Sequence, residues 1–444
     1  MQNRTTYLLI LCLTACWLPI QTPASPLAGL GQEAEAQDPP QQEPAQDESQ
    51  DLVPPTDNDQ DLLQLSEEIL QRVVKLRGLE VKKDIVQEVK SREQIRAFLL
   101  DKMVIEYPDE ELEKDEKIFQ RLGLLSEKDD LKTLVINLLT AQVAGFYDPH
   151  SGTFSIADWI PEMMQKPVMA HELLHALQDQ HFDLEAFLRQ VEDDDDQFMA
   201  RQAVVEGEGV AIMLDYMLQP MGQQFQNLPQ LDRLIEQAQK AAPESAAMGR
   251  TPAFLKDLLF FPYIQGASFV RQFRLRHSWE EMAGVYQDPP RSSEQIMHPE
   301  KYFDERDDPT EVEVSQDLPQ ELQGSWRRVD DGTLGQYMIS RLMTPFIKEE
   351  VAEEAARGWD GDRFEWFEAE DGRNALRVRT VWDSQRDALE FHQALIKTLR
   401  ARTGYWPAAG EDAGAKFVLT SGSRVFQVQH DGLWVDLLDY DRLP

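Results

Sequence analysis

His171-Glu172-Leu173-Leu174-His175 sets two imidazoles four residues apart with a carboxylate directly after the first. On a helix, residues four apart share a face, so both rings can reach one Zn2+ ion. Glu172 lies on a neighbouring face, aimed at the water that such a metal activates. The chemistry this spacing supports is hydrolysis by a metal-activated water with Glu172 as general base. Around the pentapeptide, Met169, Ala170, Leu173, Leu174, Ala176 and Leu177 are helix formers, apolar nearly all round. They predict a helix sunk in a core, where polar histidines need partners and a metal supplies one.

A catalytic zinc keeps three protein ligands and one open position, and two residues compete for the third place. His181 stands ten residues after His171, the spacing of H-E-x-x-H-x-x-G-x-x-H, but Gln178 occupies the place of the glycine that lets the chain turn. Glu206 lies in Ala203-Val204-Val205-Glu206-Gly207-Glu208-Gly209-Val210, a predicted second helix whose apolar run surrounds two acids. A carboxylate in such a run is costly unless paired or metal-bound.

The pairing of H-E-x-x-H with a later Glu-Gly on a second helix resembles the gluzincins, the thermolysin and aminopeptidase N type of zinc peptidases. That resemblance favours Glu206 over His181, with Glu208 a third contender. It also implies a donor for the tetrahedral oxyanion from a His or Tyr distant in sequence, for which His298 is the first candidate and Tyr302 the second, in His298-Pro299-Glu300-Lys301-Tyr302. The runs His171 to Phe182, Gly145-Phe146-Tyr147-Asp148-Pro149 and His298 to Tyr302 are also similar to a group of bacterial envelope proteins classed as metallopeptidases. That likeness covers roughly residues 60–440 and carries no established substrate.

The elements that must position these residues follow from composition and pattern. The 444 residues allow two or three domains. With 44 Lys+Arg against 80 Asp+Glu, the net charge of −36 argues against nucleic acid or anionic membrane surfaces as partners. Residues 1–24 read as a secretory signal, a basic start followed by an apolar run too short to span a bilayer. Leu13-Thr14-Ala15-Cys16 resembles a bacterial lipobox, with Cys16 as the lipidated first residue and cleavage after Ala24 as its rival. The implied location is outside the cytoplasm, in the bacterial envelope or secreted, with membrane contact only through that lipid. Both cysteines lie in this segment, so the exported domain has no disulfide. Residues 25–60, rich in Gln, Pro, Asp and Glu, are expected to be a disordered tether.

From Leu62 the periodicity is helical, with further helices over about 92–104, 110–122 and 130–143. Residues 146–156 predict strand, turn and strand, in which Thr153–Ile156 is either an edge strand that accepts an extended substrate or part of a plain hairpin. Glu192-Asp193-Asp194-Asp195-Asp196 lacks the glycine-punctuated spacing of a calcium loop and is expected to be a solvated acidic loop. Helices are expected over 212–285, with Phe260-Phe261-Pro262-Tyr263 in the core, and another over 331–356. After Gly358-Trp359-Asp360-Gly361-Asp362 the period shifts to strands, at 375–382, 416–419, 425–428 and 433–438, around a helix at 385–402 capped by Asp383 and Ser384.

The expected architecture is a mostly helical α+β protein: signal, tether, a gluzincin-like zinc peptidase domain over 61–365, and a small C-terminal α/β module over 366–444. The expected ligands are His171, His175 and Glu206, the cofactor Zn2+ and the substrate a peptide or protein. The alternative is a non-catalytic zinc-containing envelope interaction protein. A structural site would be closed by a fourth ligand, and beyond the leader the chain offers no Cys for one.

Overall fold

The computed structural model describes residues 57–142, 145–228, 231, 248–314, 318–322, 326–405 and 414–442. The expected signal segment over 1–24, with the lipobox reading at Cys16, and residues 25–56 of the expected tether lie outside them. Residues 57–60, also assigned to the tether, instead open helix α1 (Asp57–Arg77). This helix buries Leu62, Ile69, Leu70 and Val73, a stripe at helical spacing. Among the described residues no helix is long and apolar enough to cross a membrane.

The chain is α+β and mostly helical, with a C-terminal antiparallel sheet. After α1 come β1 (Val86–Lys90), α2 (Arg92–Glu106), α3 (Asp109–Leu122) and α4 (Leu131–Gln142). Helix α2 starts on a reciprocal cap in which Ser91 and Gln94 satisfy each other's backbone N–H, and α3 stops at Gly123, whose φ of 86° suits a residue without Cβ. Strands β2 (Gly145–Asp148) and β3 (Thr153–Ala157) form the expected hairpin. The edge-strand reading of Thr153–Ile156 is overturned, because the sheet order is β1-β3-β2 and β3 is flanked on both sides. Its second neighbour, β1, reads Val-Gln-Glu-Val-Lys and carries little apolar signal; it pairs with β3 in parallel across a long connection.

Helix α5 (Glu162–Phe182), then α6 (Leu184–Arg189), α7 (Asp195–Leu218) and α8 (Ala253–Arg274) build the centre of the molecule. From Phe198 to Met213 every residue of α7 is buried. Helices α7 and α8 touch backbone to backbone: a Cβ on Gly207 would lie 2.2 Å from the carbonyl carbon of Gly266, and one on Gly266 would lie 2.1 Å from the carbonyl oxygen of Ala203. Two glycines thus set how closely the helices approach. The acidic run at 192–196 is not a solvated loop. Asp194 caps α7 through the Gln197 N–H, and Asp196, 1% exposed, accepts the N–H of Ser293. The positive end of the α7 dipole favours acids there.

Short helices α9 (Ala283–Gln287), α10 (Ser293–Met297) and α11 (Glu300–Phe303) lead to β4 (Trp326–Gly332). The single helix expected over 331–356 is instead the end of β4 followed by α12 (Gly335–Met343) and α13 (Glu349–Ala356). Pro345, which has no N–H to donate, falls in the break between them. Then β5 (Trp359–Ala369), β6 (Asn374–Trp382), α14 (Gln385–Thr403), β7 (Lys416–Ser421), β8 (Arg424–Asp431) and β9 (Trp434–Asp441) complete a six-stranded sheet in the order β4-β5-β6-β9-β8-β7. The sheet draws in β4 and β5, so it does not begin at residue 366. Trp359, Trp366, Trp382 and Phe391 join the same apolar core as α5 and α7.

Burial raises the pKa of several carboxyls in this core. Burial pushes Asp362 up to about 6, against the N–H groups of Leu334, Gly335 and Trp359. Burial also pushes Glu294 up to about 8, although Lys301 pulls the other way. Between the ordinary carboxyl values and these raised ones the folded chain binds more protons than the unfolded chain, so stability falls as pH rises through that window. The urea midpoint is therefore expected to increase as pH is lowered from about 8 to about 5. A midpoint that drops steadily over that range would contradict the assignment.

Candidate metal centre

The H-E-x-x-H pentapeptide sits in the buried middle of α5, and the structure brings His171, His175 and Glu206 together across the contact between α5 and α7. One ligand atom from each lies within 4.8 Å of the others. Nε2 of His171 is 3.0 Å, and Nε2 of His175 3.5 Å, from Oε2 of Glu206. The two rings meet edge to face with centroids 4.5 Å apart. His175 Nε2 and Glu206 Oε1 are buried without a hydrogen-bond partner. Two imidazoles and a carboxylate converging with orphaned ligand atoms in a dry core fit a Zn2+ ion, whose ordinary protein ligands these are.

The electrostatics fit as well. Burial opposes charge on His175, but the Glu206 carboxylate more than offsets it and raises the imidazole to about 9. Burial and the neighbouring His175 hold His171 below its ordinary value. Glu206 is held low despite burial because both histidines favour its ionised form. Without metal, the cluster thus keeps a proton where a cation would bind.

Each sequence candidate now has a place. His181 points away from the cluster and donates its Nε2–H to the carbonyl of Glu80 at 2.8 Å. Glu208 is buried but committed to Arg77 and Tyr286. Glu172, 1% exposed, is outside the ligand group and accepts the Tyr147 N–H at 3.0 Å. Strand β2 therefore touches the prospective base through its backbone. His298 is not brought to the centre: the Gln336 amide donates to its Nε2 at 3.3 Å, and its Nδ1 lies 3.8 Å from Glu300. Tyr302 donates to the carbonyl of Asp288.

Three further residues belong to the site. Tyr263 of α8, read from the sequence only as core, stacks on His171 with centroids 6.1 Å apart. Gln178 accepts the Nδ1–H of His175 at 2.7 Å. Gly209 makes room for His171, since a Cβ there would lie 2.5 Å from its Cε1. The Glu206-Gly207-Glu208-Gly209 run thus alternates two acids with two close approaches, one to α8 and one to the imidazole. A Gly209→Ala substitution is expected to push His171 off its position and weaken zinc binding at least about tenfold, because a buried ring has no free space to retreat into. Chelator competition checks this; unchanged affinity would show that the ring has room.

Residues 321–439 match a family described as a domain of unknown function (DUF8575), a region that takes in most of the six-stranded sheet together with α12, α13 and α14. The match leaves the metal cluster outside it. No curated protein and no solved structure matches the chain.

Proposed function

We propose that this chain is a zinc-dependent peptidase of the gluzincin type, exported to the bacterial envelope and held there by lipid or released. The observation that carries the reading is the convergence of His171, His175 and Glu206 with Glu172 beside them but outside the ligand group. A zinc ion held by those three residues would polarise a peptide carbonyl and acidify a water. Glu172 takes the proton from the attacking water and returns it to the leaving amine nitrogen. Its nearness to His175 is registered in the imidazole's raised pKa, to which Glu172 contributes. The burial of α5 excludes bulk water from the reacting groups and strengthens every charge interaction there. The substrate class is a peptide or protein.

One observation favours a second reading, a non-catalytic zinc-containing interaction protein: none of His171, Glu172, His175 and Glu206 is more than 2% exposed. A site that never opens has no use for a base. A metal clamp, however, gives no reason for a buried carboxylate directly after its first ligand. Both readings require the metal. Elemental analysis of protein purified without chelator should therefore find one zinc per chain, lost from a His171→Ala or His175→Ala variant because two remaining ligands hold it weakly. Zinc-free wild-type protein would remove both.

A further inference from the structure

Metal-ligating imidazoles usually have their second nitrogen fixed by a hydrogen bond, and which group fixes it decides which nitrogen faces the metal. In this chain Gln178 does so for His175 from the next turn of the same helix. We propose that Gln178, backed by Glu208, Tyr286 and Arg77, is the positioning residue that locks His175 in the tautomer presenting Nε2 to the metal. The proposal rests on the metal-centre reading and not on hydrolysis.

The direction of the Gln178 amide is forced by its surroundings. Its nitrogen faces three acceptors: the Val205 carbonyl at 3.2 Å, Glu208 Oε2 at 3.0 Å and the Tyr286 hydroxyl oxygen at 2.8 Å. That hydroxyl donates its own hydrogen to Glu208 Oε2 at 2.7 Å, so toward Gln178 it accepts. Turning the amide over would set its oxygen against a carbonyl and a carboxylate. Oε1 must therefore face His175 Nδ1, 2.7 Å away, and Nδ1 must carry the proton. In the neutral ring, the form that can ligate a metal, the lone pair is then left on Nε2, the atom that looks toward Glu206.

The rest of the relay keeps this arrangement rigid. Glu208 is ion-paired with Arg77, whose Nη1 donates to the carbonyl of Trp279 at 2.9 Å. The Tyr286 ring lies flat on Phe182, with centroids 3.9 Å apart. Gln178 and Glu208 are 0% exposed and Arg77 2%, so no water can substitute for a missing partner. Because Arg77 is the last residue of α1, the end of that helix is part of the relay.

The test compares Gln178→Leu with Gln178→Glu in the full chain, by zinc affinity from chelator competition, by thermal melts and by 15N-histidine NMR of the zinc-loaded protein. In wild type, His175 should carry its proton on Nδ1 and zinc on Nε2. Gln178→Leu removes the acceptor and should raise the zinc dissociation constant about 10–100-fold, the usual loss on removing such a partner. Gln178→Glu keeps an acceptor for Nδ1–H and should bind zinc more tightly than Gln178→Leu, although its added buried charge costs more thermal stability. A role in packing alone predicts the reverse order. Tyr286→Phe, which keeps the ring and removes one acceptor from the amide, should also weaken zinc binding, and this supplies the comparison if Gln178→Glu does not fold. Zinc on Nδ1 of His175, or affinity of Gln178→Leu within about threefold of wild type, would overturn the relay while leaving the metal centre intact. Wild type that binds no zinc would take down the centre as well.

Discussion

Glu172→Gln is expected to keep its zinc and its fold while hydrolysing peptides about 10²–10⁴-fold more slowly than wild type, the range that a general base contributes. The substitution preserves shape and retains an oxygen able to accept the Tyr147 N–H, so β2 should stay in place. What is lost is the capacity to take a proton from water. This variant separates the two readings of the centre, because in a clamp Glu172 has no proton to move. An unbiased peptide library is the proper substrate source, with zinc measured on the same samples. Equal cleavage by wild type and variant would mean that the hydrolysis comes from elsewhere, and the peptidase proposal would fall even with zinc bound.

Glu206→Ala is expected to empty the site, and His181→Ala to leave it loaded. Glu206 Oε2 lies within 3.0–3.5 Å of both imidazoles, whereas His181 is engaged with the Glu80 carbonyl. Without the carboxylate, the raised pKa of His175 also loses its main support, so the cluster changes both its ligand count and its charge. Two histidines alone hold zinc weakly, and a loss of affinity of at least about 10³-fold is expected when an anionic ligand is deleted from a site whose binding energy is of the order of 10 kcal/mol. Zinc titration with a competing chelator decides it. A His181→Ala protein that loses its metal, beside a Glu206→Ala protein that keeps it, would restore the ten-residue spacing as the correct reading.

Much of the centre was legible because its signals are local. The four-residue spacing of His171 and His175 and the acid set in the apolar run around Glu206 each carry their meaning within one helix. Glu206 could be preferred to His181 because Gln178 stands where a turn-forming glycine would be needed. The same Gln178 was then read only as an obstacle, since its partners Glu208 and Tyr286, and Arg77 behind Glu208, come from three other segments and no spacing links them. Tyr263 was hidden for a similar reason: an aromatic in an apolar helix looks like core, and only the packing of α8 against α7 brings it onto the His171 ring. The central position of β3 failed because β1 is short and half polar. The expectation for His298 came from resemblance alone and had no local chemistry to support it. In the C-terminal region, the strands after residue 374 announced themselves by alternation, while β4 was masked by the helical pattern that follows it.

The near-total enclosure of the ligands has a consequence in time as well as in space. An ion at this centre can leave only when the helices around it part, so at high chelator concentration the exchange rate is set by the breathing of the fold. Adding more chelator beyond that point would not hasten the loss. The same opening would govern the entry of a metal ion, so a chain that folds before it meets one would wait for a rare fluctuation. The centre is thereby a clock for the protein's own local unfolding, and its off-rate reports how often α5, α7 and α8 come apart.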